Sequence, residues 1–105
     1  MPTEFSLFYV TFPDEATAQK VSKTLLEEQL IACSNLFPGI QSQYWWRGKI
    51  ESTQEYVMIL KSLARLKEPL QARLKTLHPY ETFCFLEIGI EGGNPEYLQW
   101  LKGSL

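Results

Sequence analysis

Residues 33–62 read CSNLFPGIQSQYWWRGKIESTQEYVMILKS. Two strand-forming runs meet there at one tight turn. Pro38-Gly39 interrupts the first run. Proline cannot donate to a strand ladder, so this break belongs on an edge strand or at a bulge. The reading is therefore a strand over 33–37 that resumes over 40–47. Gly48-Lys49 predicts the two-residue turn, with glycine at its first central position. The return strand runs over 50–62. Its segment Tyr56-Val57-Met58-Ile59-Leu60 is apolar at every position, which predicts burial on both faces. Such a hairpin is long, since ordinary strands run about five or six residues.

The tip carries Tyr44, Trp45 and Trp46 in succession. Side chains alternate across a strand, so Tyr44 and Trp46 face one side and Trp45 the other. A projecting ribbon cannot bury both faces within one small domain. These three residues are expected to form an interface with another copy.

Outward from the hairpin, residues 5–12 form an aromatic-rich apolar run ended by Pro13 and predict a central strand. Asp14 is placed to cap a helix, and Glu15 puts negative charge in its first turn. Ala18, Val21, Leu25 and Leu26 recur at helical spacing to about residue 29. After the hairpin, Leu66, Leu70, Leu74 and Leu77 give one apolar stripe and a helix over 64–77. Pro69 fits only in the first turn of that helix. Pro79 ends it, because the residue before a proline resists the α conformation. A fourth strand follows over 83–91. Asn94 then caps a last helix over 96–102, with Pro95 at its first position.

The order is β-α-β-β-α-β plus a terminal helix, an α+β fold of the ferredoxin-like kind. Its antiparallel sheet is expected in the order 4-1-3-2. The 105 residues make one domain spanning 1–105. Cys33 and Cys84 then fall on opposite edges, roughly 14 Å apart. A disulfide needs Cα atoms within about 7 Å, so no intramolecular bridge is expected.

Composition is ordinary for a globular protein, with 45% apolar and 21% charged residues. The net charge of −2 and the scattered basic residues argue against nucleic acid. No apolar run reaches membrane-span length, so no membrane partner is expected. Two thiols without a C-x-x-C pair fit a reducing compartment, so the expected location is cytoplasmic.

Few residues could carry chemistry. His78 is the only histidine, and imidazole suits copper and zinc. Glu81 lies three residues on, and a turn through Pro79 would have to bring the two together. The competing reading is that His78 bonds or charges the end of the second helix, where a cation is favoured. Cys33 and Cys84 could bind Cu(I), although cysteines among apolar neighbours more often pack as small hydrophobes. Lys61 ends the most apolar strand, with its stem buried and its ammonium seeking an anion, Glu55 or Glu81. Glu27, Glu28 and Glu96 read as solvated. No Ser or Cys has a recognisable base beside it, so no catalysed reaction is expected. No glycine loop cradles a phosphate, so no organic cofactor is expected.

Several segments together carry a resemblance. They are Leu30-Ile31-Ala32-Cys33-Ser34-Asn35, Pro38-Gly39-Ile40, Tyr44-Trp45-Trp46, Gly48-Lys49-Ile50, His78-Pro79-Tyr80-Glu81 and Gly93-Asn94-Pro95-Glu96-Tyr97-Leu98. In this order and spacing the chain resembles the CutA divalent-cation tolerance family over essentially its whole length. The resemblance implies a tight homotrimer with long hairpins wrapping neighbouring subunits. It implies binding of divalent cations, Cu(II) above all, with His78, Glu81 and Cys33 as the candidate metal residues. It also implies a likeness to PII signalling trimers. Trp46, Lys61 and Tyr80 would then line a cleft between subunits for a small anion or a protein partner. The chain departs from the family pattern at Val10, Arg47, Phe83 and Cys84. RNA-recognition domains share the strand–helix order, but their aromatic motifs are absent here.

Overall fold

The computed structural model describes residues 3–105. Four strands and three helices appear in the expected order: β1 (Phe5–Phe12), α1 (Glu15–Glu27), β2 (Cys33–Trp46), β3 (Lys49–Leu63), α2 (Lys67–Leu77), β4 (Phe85–Ile90) and α3 (Pro95–Gly103). The sheet order is β2-β3-β1-β4, which is the expected 4-1-3-2 read from the other edge. Every pairing is antiparallel.

Local chemistry explains most boundaries. The Asp14 side chain accepts a 2.8 Å hydrogen bond from the Thr17 amide and caps α1. That helix stops at Glu27, short of residue 29, because Gln29 turns left-handed with φ 56. The Leu30 amide then reaches the Leu25 carbonyl and the Gln29 amide the Leu26 carbonyl, each at 3.0 Å. Those two bonds are the Schellman pattern. Ala64–Leu66 form a 3₁₀ turn before α2, so the second helix starts later than its apolar stripe suggests and Pro69 sits in its first turn. Asn94 accepts from the Glu96 amide at 3.1 Å and caps α3.

Two features of the hairpin decide its shape. Phe37 pairs with Val57 and Ile40 with Glu55, so Pro38-Gly39 forms a bulge on the edge strand, as expected. The turn is corrected by one residue. Trp46 pairs with Lys49, which leaves Arg47 and Gly48 as the central pair. Their φ angles of 50° and 78° are both positive. That is the type I′ turn, whose twist matches a right-handed ribbon.

The core lies between the sheet and α1 and α2. Phe8, Val10 and Phe12 meet Ala18, Val21, Leu25, Met58, Leu60, Leu70 and Leu74 there. Fully burying one such aliphatic side chain contributes about 1.5–3 kcal/mol. Leu63 and Leu101 are buried outside that cluster, where α3 lies against β3. Much of the rest of the sheet's second face stays open, although Val57 and Glu55 on it are buried. One cross-strand row holds Cys33, Lys61, Leu7 and Ile88, and the next holds Asn35, Ile59, Tyr9 and Leu86. Ile88, Leu86 and Phe37 are about half exposed.

Candidate functional site

β1 and β3 have different lengths, and that difference creates the site. The last β1–β3 pair is Phe12 with Tyr56. Beyond it β3 pairs with β2 alone, starting at Ile40 with Glu55. The loop after α2 fills the place that β1 vacates. It carries His78 and Tyr80 to the root of the hairpin.

His78 is the first residue past α2, and its amide reaches the Leu74 carbonyl at 2.8 Å. That is a backbone bond only; the side chain neither bonds nor charges the helix end, contrary to the competing reading, because its ring nitrogens go to Thr11 and Tyr80. Its ring leaves the helix and is only 7% exposed. Phe12 and Phe83 stack on it, with centroids at 4.6 and 4.7 Å. Its Nε2 meets the Thr11 carbonyl at 2.7 Å, and its Nδ1 accepts the Tyr80 amide at 3.1 Å. A carbonyl can only accept and an amide can only donate. The tautomer is thereby fixed, with the proton on Nε2. Burial holds the imidazole below its usual pKa, partly opposed by the bond to Thr11 and the charge of Glu55. The ring is thus neutral, and both its nitrogens are committed within the chain.

Tyr80 stands above this group, its ring tilted against His78 with centroids 5.0 Å apart. Its hydroxyl donates to Glu55 Oε2 at 3.4 Å. Burial raises the phenol's pKa, and the charge of Glu55 raises it further. Glu55 itself is 7% exposed, the one acidic residue among the buried side chains described. The Cys84 thiol, 4.0 Å from the Tyr9 carbonyl, is likewise pushed up by burial and by Glu55. Sequence reasoning named Glu55 only as an ion-pair partner for Lys61. Its signal was positional: a lone carboxyl at the start of the apolar run, opposite the Pro38-Gly39 break.

The other candidates lie elsewhere. Cys33 pairs with Lys61, four residues along β3 from Val57, the partner of Thr11. That offset is about 13 Å along the strand, so Cys33 and His78 do not meet within one chain. Glu81 is exposed and joins none of the ion pairs among the described residues. Those residues contain no group of three His, Cys, Asp or Glu able to hold a metal ion. Lys61 pairs with neither Glu55 nor Glu81. Its Nζ donates to the Tyr97 hydroxyl at 3.3 Å and lies 5.5 Å from that ring's centroid. Trp46 sits at the far end of the hairpin, twelve β3 residues from Lys61 and so about 40 Å away. Tyr80 lies between. One subunit therefore does not bring Trp46, Lys61 and Tyr80 into one cleft. Both cysteines are free, as expected.

The fold and this site define a class: ferredoxin-like subunits with an overlong hairpin, a buried histidine at the second helix's end and an uncovered sheet face. The profile of one family, described as CutA1 divalent ion tolerance protein, matches residues 6–104. The divalent-cation tolerance protein CutA of Pyrococcus horikoshii is 47% identical over 95 residues, covering 90% of this chain and 92% of its own. That of Pectobacterium atrosepticum is 43% identical, covering 90% and 86%. The crystal structure of CutA1 from Oryza sativa superposes with a TM-score of 0.94 at 35% identity, covering 98% of this chain and 94% of that one. The chain belongs to the CutA1 divalent ion tolerance family.

Proposed function

We propose that this protein serves divalent-cation tolerance as a homotrimer, with Cu(II) or a related cation held by donors from more than one copy. The observation that carries this reading is the uncovered hydrophobic surface. Leu86, Ile88 and Phe37 on the sheet, and Trp45, Trp46 and Ile50 on the ribbon, are all about half exposed or more. A small domain that leaves so much apolar surface open gains core by associating. A hairpin with aromatics on both faces suits a partner that wraps around it.

The donor set of one chain does not fit a metal centre. His78 has no free lone pair, Cys33 lies apart, and Glu81 stands alone. Soft or borderline cations want imidazole or thiolate in numbers that only neighbouring copies can supply. We assign the protein no catalysed reaction: Ser6, whose hydroxyl donates to the Glu87 carboxylate at 2.9 Å, is buried out of reach of a substrate. We place it in the cytoplasm, where two free thiols remain reduced.

Sedimentation across a dilution series, beside Cu(II) calorimetry at the same concentrations, tests the proposal. A trimer that binds copper, and loses copper on dissociating, supports it. A folded monomer refutes the assembly. A monomer that still binds copper tightly refutes the shared site. One observation favours a second reading, a PII-like scaffold. Lys61 presents its ammonium beside Tyr97 at the uncovered face, where an anionic ligand or a partner's carboxylate would meet it.

A further inference from the structure

The carboxyl group of Glu55 is buried and has one contact, the 3.4 Å bond from Tyr80. Ion pairs among the described residues are Lys67–Glu87, Arg73–Glu28 and Lys102–Glu4, and none involves Glu55. A buried acid with one long hydrogen bond is underprovided, because such groups normally gain a cation or several donors. The surroundings show which cation suits it. Imidazole lone pairs are consumed, and no second carboxylate lies in a metal-binding group among the described residues. What remains is one carboxylate, a phenol and aromatic walls. That set suits a guanidinium or primary ammonium group, which donates hydrogen bonds to the carboxylate and lies against π faces. It does not suit a metal ion.

Seven of the ten lysines and arginines have no ion-pair partner among the described residues, and two of these, Arg47 and Lys49, stand exposed at the projecting hairpin tip. They cannot reach Glu55 of their own chain. The tip pair Trp46–Lys49 lies six residues beyond Ile40–Glu55, or about 20 Å along a rigid ribbon. Tip and root are different surfaces of one molecule, so their pairing between copies is head-to-tail. Head-to-tail contacts close into rings when the rotation permits. The tip also brings its aromatic anchor, since the Arg47 guanidinium lies 5.5 Å from the Trp46 ring centroid.

We propose that Glu55 and Tyr80 form a recognition site for the cationic hairpin tip, Arg47 and Lys49, of a second copy. This rests on the homotrimer reading and gives that assembly its polar specificity.

The test is a double-mutant cycle read by sedimentation, with Glu55→Gln, Arg47→Ala/Lys49→Ala and their combination. Each variant is expected to raise the half-dissociation concentration by at least about 30-fold, as loss of one partner of a desolvated charge pair does. The combination is expected to do no more than Glu55→Gln alone. Cu(II) affinity of any assembled Glu55→Gln protein is expected to match wild type. The tip variants alter exposed residues only, so they report even if Glu55→Gln fails to fold. A wild-type trimer indifferent to the tip variants, additive losses, or copper affinity lost at intact assembly would each overturn this inference alone. A wild-type monomer would overturn the trimer reading and this inference with it.

Discussion

His78→Ala separates a structural histidine from a metal ligand. The substitution leaves the Thr11 carbonyl and the Tyr80 amide without their partner. Each unsatisfied buried backbone group costs about 1–3 kcal/mol. It also removes the ring stacked between Phe12 and Phe83. Aromatic contacts of this kind contribute about 0.5–1.5 kcal/mol each beyond area burial. The expected loss is therefore about 3–9 kcal/mol, a large share of the roughly 5–15 kcal/mol a domain commands.

Urea unfolding at fixed protein concentration measures it, because assembly adds a concentration-dependent term. With a slope of about 1.5 kcal/mol per molar, the midpoint falls by about 2 M or more. His78→Phe is the companion variant. It keeps an aromatic layer but loses both hydrogen bonds, so it is expected to recover only part of the loss. Cu(II) calorimetry on the folded fraction is expected to show little change. A His78→Ala protein that keeps its stability but no longer binds copper would refute this reasoning.

The remaining predictions concern pH, the turn and the interface. Burial lowers the pKa of His78 in the folded chain, so on acidification the unfolded chain takes up the proton first. The His78 contribution is therefore complete above about pH 6.5 and is lost as pH falls through the depressed folded value, at no more than about 1.4 kcal/mol per pH unit. Unfolding curves from pH 8 to 5 check this, and the slope is expected to flatten in His78→Phe. Gly48→Val places a β-branched residue at φ 78 and is expected to destabilise by about 1–2 kcal/mol, read from the thermal midpoint. Trp46→Ala is expected to weaken the assembly by at least about 30-fold in sedimentation, as loss of an aromatic anchor can. An unchanged assembly would remove Trp46 from the interface.

Much of the architecture could be read from short-range chemistry. Asp14, Pro38-Gly39, Pro69 and Asn94-Pro95 each constrain the backbone locally, and the elements around them form as the sequence predicts. The turn shifted by one residue because both arrangements place a glycine at a permissive position. Only the cross-strand register of Trp46 with Lys49 chooses between them. The site was less legible for the same reason. His78 stood out as the only histidine, yet its role depends on a carbonyl 67 residues earlier in the chain. Glu55 read only as an ion-pair partner for Lys61. Its burial comes from the loop holding Tyr80, a contact 25 residues away that no spacing announces.

One inequality links these findings. β3 runs over Lys49–Leu63, while its pairing with β1 stops at Tyr56. A β1 long enough to match β3 would cover the ribbon's edge, the surface proposed to meet a second copy. It would also occupy the place where the loop after α2 now lies, and Thr11 would lie in mid-strand. Because β1 ends early, the ribbon stands free, with Trp45 73% exposed. The same early end leaves a corner at Glu55 that His78 and Tyr80 close from the helix side. The proposed interface and the polar site therefore share one origin in strand length. Lengthening β1 through Pro13 would disturb both together, whereas changes at the tip would disturb the proposed assembly and leave the corner intact.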